Sequence, residues 1–200
     1  VVSTRQAARS EATRAKLIAA GAELFAKRGY AGVGTEEIVK RARVTRGALY
    51  HHFADKRDLF RAVHESLEAE LVERIAAALA EAATEDPIEA MKVAVAAFLD
   101  GTLDEGRARI TLIEAPSVLG WAEWREIDAR HGLGLASAAL EGAMAAGRIE
   151  RRPVAPLASL FVAALGEAGI LVATAADPEA ARADVENALG ALIDGLARSR

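Results

Sequence analysis

The chain has 200 residues, enough for one core-forming unit and too few for two full-sized enzyme domains. Its 52% hydrophobic and 27% charged residues exclude a disordered or collagen-like chain, and the lack of cysteine excludes a disulfide scaffold, a zinc–thiolate site, an iron–sulfur cluster and a cysteine nucleophile. The net charge of -4 hides a division: residues 1–62 hold 13 Lys/Arg against 6 Asp/Glu, a balance of +7, and the remainder stands at -11. Local positive charge is what displaces counterions from a duplex, so only the first third of this chain is suited to phosphates.

With 48 alanines, five prolines and few aromatics, the composition favours helices. A flexible basic arm is expected over 1–10, in which no long apolar run marks a secretory signal. Ser10 is a candidate cap for a first helix over 11–28, with an apolar stripe of Leu17, Ile18, Leu24 and Phe25 and a stop at Gly29. Thr35 is a candidate cap for a short second helix ending near Ala42, with Glu36 and Glu37 in its first turn. Thr45 caps a third from Arg46 to about Phe53. Only Arg43-Val44 separates these two short helices, with Ile38, Ala42, Val44 and Leu49 available to pack between them, which is helix-turn-helix spacing.

Asp55 opens a long fourth helix whose stripe Phe60, Val63, Leu67, Leu71, Ile75 and Leu79 persists to about Ala83. Asp86-Pro87-Ile88-Glu89 starts a fifth, ended by Gly101. A sixth is expected over 107–114, stopped by Pro116, and a seventh over 121–146. An eighth, 153–175, overlaps the 157–176 stretch, which has membrane-spanning length but carries Glu167 in its middle. It reads as a buried helix at a subunit interface. Asp177-Pro178-Glu179 opens the ninth. The fold class predicted is all-α: a three-helix reading head (11–54) and a helical body (55–200).

On the third helix, Arg46 can reach a guanine edge, Gly47 lets the backbone approach, and Tyr50 and His51 can bond phosphates. Thr35 and Thr45 offer helix-terminal N–H groups and hydroxyls, and Lys56 a charge. No metal site is expected from His51, His52 and His64, because adjacent residues do not share a helix face. No hydrolase elbow or phosphate loop is present, so no catalytic residue and no cofactor are assigned.

Leu24-Phe25-Ala26-Lys27-Arg28-Gly29-Tyr30, Thr35-Glu36-Glu37-Ile38, Val44-Thr45-Arg46-Gly47-Ala48-Leu49-Tyr50-His51-His52-Phe53 and Lys56-Arg57-Asp58-Leu59 closely resemble the amino-terminal domain of the TetR/AcrR family of transcriptional regulators. The resemblance implies an all-helical homodimer that binds a double-stranded operator, dimerises through its last two helices and responds to a small molecule; the lack of cysteine suits a reducing cytoplasm. DNA contacts carry over onto Thr35, Thr45, Arg46, Gly47, Tyr50, His51 and Lys56. The chain departs from the family in having Val39 for a common alanine and Arg43 for the common turn glycine. A left-handed Arg43 would cost about 1 kcal/mol.

Pocket candidates in the body are Phe98, Leu99, Leu103, Ile113, Trp121, Trp124 and Phe161 for walls, with Glu114, Asp128 and His131 as polar handles. Leu160, Ala164, Leu165, Ala168 and Leu171, with Leu189, Leu192, Ile193 and Leu196, form an apolar set suited to a four-helix seam between two copies. Such a dimer would set the heads about 34–36 Å apart on an imperfect palindrome. The reading is a regulator, most simply a repressor, released from its operator by an apolar or amphipathic effector of unknown identity. The alternative is a helical ligand-binding protein or enzyme without DNA function.

Overall fold

The computed structural model describes residues 2–197, with side chains from Gln6 onward. It is all-helical: α1 Val2–Arg28, α2 Thr35–Ala42, α3 Arg46–His52, α4 Lys56–Ala82, α5 Pro87–Thr102, α6 Glu105–Ala108, α7 Ala115–Leu119, α8 Trp121–Asp128, α9 Gly134–Ala145, α10 Val154–Thr174 and α11 Pro178–Leu196. Wide π-turns, Arg109–Glu114 and Ala129–Leu133, join α6 to α7 and α8 to α9, so the described residues trace nine continuous helical rods. The only sheet-like pairing among them is an isolated bridge, Ile149 to Ala197.

Several boundaries follow local chemistry. Thr45, Asp55, Asp86 and Asp177 each accept a backbone N–H of the following turn. α2 is capped one residue earlier than expected, at Gly34, whose N–H donates to the Glu37 carboxylate at 3.2 Å; Thr35 is already helical. The segment expected as an arm is helical from Val2, and Ser10 lies inside α1. Gln6-Ala7-Ala8-Arg9 are good helix formers, and the Thr13 hydroxyl donates back to the Arg9 carbonyl.

The sixth helix does not stop at Pro116. In the wide pattern the N–H of residue 116 would reach the carbonyl of residue 111. Proline has no N–H, and the Trp124 indole donates to that carbonyl instead, at 3.0 Å. The chain therefore runs on to Gly120, whose φ of 81° breaks it.

Two cores result. Leu17, Phe25, Ile38, Leu49, Phe53, Leu59 and Phe60 centre the head, and Ile110, Leu119, Trp124 and Ile127 from α6–α8 pack onto the same cluster. The second core joins α5, α9, α10 and α11 through Met91, Leu99, Leu140, Val162, Val172, Leu189 and Ile193. The long α4 passes from one core toward the other: Leu59, Phe60, Ala62, Val63 and His64 are buried in its first turns.

Candidate nucleic-acid interface and body cavity

α2 and α3 pack through Ile38, Ala42 and Leu49, and Phe53 closes the far end of α3. Between them Arg43 has φ 56° and ψ 45°, the left-handed conformation that the glycine-to-arginine departure implied. Its N–H donates to the Lys40 carbonyl and that of Val44 to Val39, ending α2 within one turn. Val39 itself packs against the head core.

With Leu49 and Phe53 inward, Arg46, Gly47, Tyr50 and His51 stand on the exposed side of α3. The Arg46 guanidinium lies 5.6 Å from the centre of the Tyr50 ring and 3.7 Å from Glu36. Hydrogen bonding to Thr35, then to Arg46, holds the Tyr50 phenol below its ordinary pKa. Thr35, Arg46 and Tyr50 are thereby gathered into one polar patch, while Thr45 is held by its cap bond from Ala48 at 3.2 Å. A Cβ at Gly47 would meet only the Thr45 hydroxyl, at 3.9 Å. Nothing inside the fold requires glycine there, although it costs a helix about 1 kcal/mol relative to alanine.

Lys56 is placed differently from the other six. Its ammonium donates to the carbonyls of Tyr30 (2.9 Å) and Val33 (3.0 Å) and sits 4.1 Å over the Tyr30 ring. Two of its three protons thus tie down the α1–α2 loop, and one is left for an outside acceptor.

The body contains a cavity of about 400 Å³ between α4, α5, α6, α8, α9 and α10. Phe98, Trp124 and Phe161 line it, as do Asp128 and His131. Five other candidates do not, Leu99 because it is fully buried in the body core. Leu103 ends α5 and packs into the body core. Ile113 and Trp121 are 45% and 65% exposed, Trp121 resting on the Trp124 ring at 4.8 Å. Glu114 accepts the Tyr30 backbone N–H at 2.8 Å and fills the space a side chain at Gly29, φ 72°, would need. The π-turn explains Ile113 and Glu114: its extra residue rotates the helix, so Thr111 and Leu112 meet the cavity while these two leave it.

Sequence reasoning missed Glu68, Leu71, Ile75 and Leu79, which α4 contributes to the cavity, and Met91 opposite them. Glu68 borders the apolar stripe and lies one turn beyond His64, which was the available signal. Burial, and secondarily Asp128, push the Glu68 carboxyl up to about 7, with Arg107 pulling the other way. Burial also raises Asp128 and, with His131 nearby, brings His64 down to about 4. His64 Nδ1 is 3.8 Å from Glu68, too far for a hydrogen bond, and desolvation outweighs their attraction, favouring the neutral form of each.

The outer faces of α10 and α11 expose Leu160, Leu171 and Leu192, with Ala164 and Leu196 half-buried beside them. Ala168, Leu189 and Ile193 instead face their own core, and Leu165 lines the cavity, because a helix wedged against a core turns only one stripe outward. α10 is long and apolar enough to cross a membrane by length and composition, and 28% of its most apolar stretch is buried within this single protomer.

Residues 17–63 match the family described as bacterial regulatory proteins of the tetR family, and residues 88–196 match the tetracyclin repressor-like C-terminal domain. The chain belongs to the TetR family of DNA-binding transcriptional regulators. A TetR-family regulator from Pectobacterium atrosepticum superposes with a TM-score of 0.83 at 34% identity, over 96% of this chain and 97% of that one. Among curated relatives, the activator FasR of Mycolicibacterium smegmatis is 38% identical over 44% of this chain, and the regulator CymR of Pseudomonas putida 40% over 42%. The chain spans about two fifths of the length of each, 39% and 41%.

Proposed function

We propose that this chain is a cytoplasmic, ligand-responsive repressor whose head (11–54) reads an operator as one half of a homodimer and whose body (55–200) binds the effector and its twin. The observation that carries the reading is a shared segment. Ala108, Thr111 and Leu112 line the cavity, while on the same stretch Arg109 donates to the Ala26 carbonyl in the last turn of α1 at 2.8 Å and Glu114 holds Tyr30 just beyond it. Arg57 on α4 adds bonds to the Val118 and Leu119 carbonyls and to Glu123. A ligand that prefers a displaced 109–114 turn would shift α1, and the head with it, out of register with successive grooves.

Thr35, Thr45, Arg46, Gly47, Tyr50, His51 and Lys56 are the proposed DNA contacts. Arg46 reads a base; Tyr50, His51 and the helix termini position the backbone. Phe98, Trp124 and Phe161 are the retained effector contacts, and Leu160, Leu171 and Leu192 the centre of the proposed dimer seam.

Selection from a random duplex library tests the reading: it should enrich an imperfect palindrome with half-sites one helical turn apart. No enrichment, together with no salt-dependent retardation, would refute it. Glu114→Ala should leave operator affinity within about threefold while weakening release by effector, since it cuts one tie of about 1–2 kcal/mol. Release equal to the parent's would remove Glu114 from the route.

A further inference from the structure

The cavity has two chemically distinct ends. Glu68, Leu71, Ile75 and Leu79 descend one side along α4, a span of about 16 Å at the helical rise. On α5, which contributes Pro87, Met91, Phe98 and Thr102, the order runs the other way. The Leu79–Pro87–Met91 end is apolar. The opposite end is lined by Glu68, Asp128 and His131, with Thr111 and Arg107 alongside.

The charges at that end do not cancel among themselves. The Arg107 guanidinium is engaged elsewhere: it donates to the Leu67 carbonyl at 2.5 Å and to Glu70 at 2.8 Å. Asp128 has Arg125 only at 3.8 Å, beyond hydrogen-bond range. Glu68 has no hydrogen-bond partner among the described residues, and its neighbour His64 is fully buried with both ring nitrogens unpartnered. A buried carboxylate without donors is costly unless a cation or donor arrives to meet it. The aromatic rings of Phe98, Trp124 and Phe161 line the same cavity, and their faces also favour positive charge.

We propose that the effector is a lipophilic organic cation, its charge seated between Glu68 and Asp128 and its apolar body lying along α4 toward Leu79 and Met91. The inference rests on the effector reading above and names its chemistry. The cation stabilises ionised Glu68, so binding expels the proton that burial otherwise retains, and affinity rises with pH through about 7. The other groups facing Glu68 are His64 on α4, Arg107 on α6, Asp128 on α8 and His131 in the second π-turn. Of these, Asp128 acts in the same direction as Glu68 and Arg107 opposes it.

The test uses the full chain with three probes of equal tail below micelle-forming concentrations: decyltrimethylammonium, 1-decanol and decanoate. Binding is read by calorimetry and by tryptophan fluorescence. The cation should bind about tenfold or more tightly than the alcohol, and decanoate most weakly. Only the cation's affinity should rise with pH. Glu68→Gln should remove most of the preference and most of the pH dependence, with its thermal unfolding curve reporting an intact fold; Asp128→Asn should halve the preference or more. Equal binding of all three probes, tightest binding of decanoate, or a parent-like Glu68→Gln would overturn the proposal. Should that variant not fold, a pH-independent cation affinity in the parent overturns it equally. A bound cation that leaves DNA in place would defeat the effector reading and keep the cation site; DNA release by decanol without cation binding would do the reverse.

Discussion

In the head, the aromatic rings meet one another: Phe25, Tyr30 and Phe60 pack with centroids 5.2 to 5.9 Å apart, and the Lys56 ammonium closes over the cluster. In the body, Phe98, Phe161 and Trp124 stand around a cavity instead. The contrast extends to charge. Head carboxylates are matched, Glu23 with Arg41 and Lys27 and Glu37 with Arg28, and each lies below its ordinary pKa for that reason. In the body Glu68, Asp128 and His64 are displaced toward their neutral forms by burial. One region is satisfied internally and presents an invariant surface; the other keeps polar demand that a ligand can meet. Local stability should be high where groups are paired and lower around the cavity.

The sharpest way to break this division is to separate the copies. If the body sets the spacing and each head reads half a site, Leu160→Glu with Leu192→Glu should give a folded monomer whose operator affinity falls about a hundredfold or more. Sedimentation and fluorescence anisotropy measure both, and a dimer that persists would move the seam elsewhere.

Next is pH. Folded Glu68 keeps its proton to about 7 and the unfolded chain loses it near 4.5, so its contribution is fully present below 4.5 and declines as pH rises to about 7. His64 works oppositely: with a folded value of about 4 against 6.5, its contribution is present above 6.5 and declines as pH falls toward 4. The two slopes nearly cancel from 4.5 to 6.5. Glu68→Gln should remove the first, giving a stability that climbs from pH 4 to 6.5 and exceeds the parent's at pH 8 by about 3 kcal/mol. Urea titrations across pH decide it, and parallel profiles would contradict the assignment.

In the head, smaller effects are expected. Arg46→Ala should cost about 1–3 kcal/mol of operator affinity, with relaxed preference at one base pair and unchanged stability. A uniform loss across sequences would make Arg46 a phosphate contact. Arg43→Gly relieves the left-handed turn and should raise thermal stability by about 1 kcal/mol while lowering the salt slope slightly. A destabilised variant would show the turn is held by more than its backbone.

Much of the head could be read directly. Its turn, apolar spacing and Thr45 cap are local, although the caps expected at Ser10 and Thr35 fall inside helices, and the expected patch of Thr35, Arg46, Gly47, Tyr50 and His51 lies together because one short helix presents four of the five. Lys56 shows the limit: its place in the motif was legible, its engagement with Tyr30 and Val33 was not, since those carbonyls lie more than twenty residues away. The body was read less well. Glu114 looked like a ligand handle beside a helix-ending proline; the π-turn carried the helix through Pro116 and turned Glu114 toward α1.

From the order of residues alone came the helical class, the caps at Thr45, Asp55, Asp86 and Asp177, the basic head and the short third helix, all properties of periodicity and of neighbours within a turn or two. The packing of distant helices decided the rest: which wall of α4 meets a cavity, which carboxylates lose water, and which leucines remain outside. Those outcomes depend on helix rotation, and one extra residue in a wide turn is enough to exchange an inward face for an outward one.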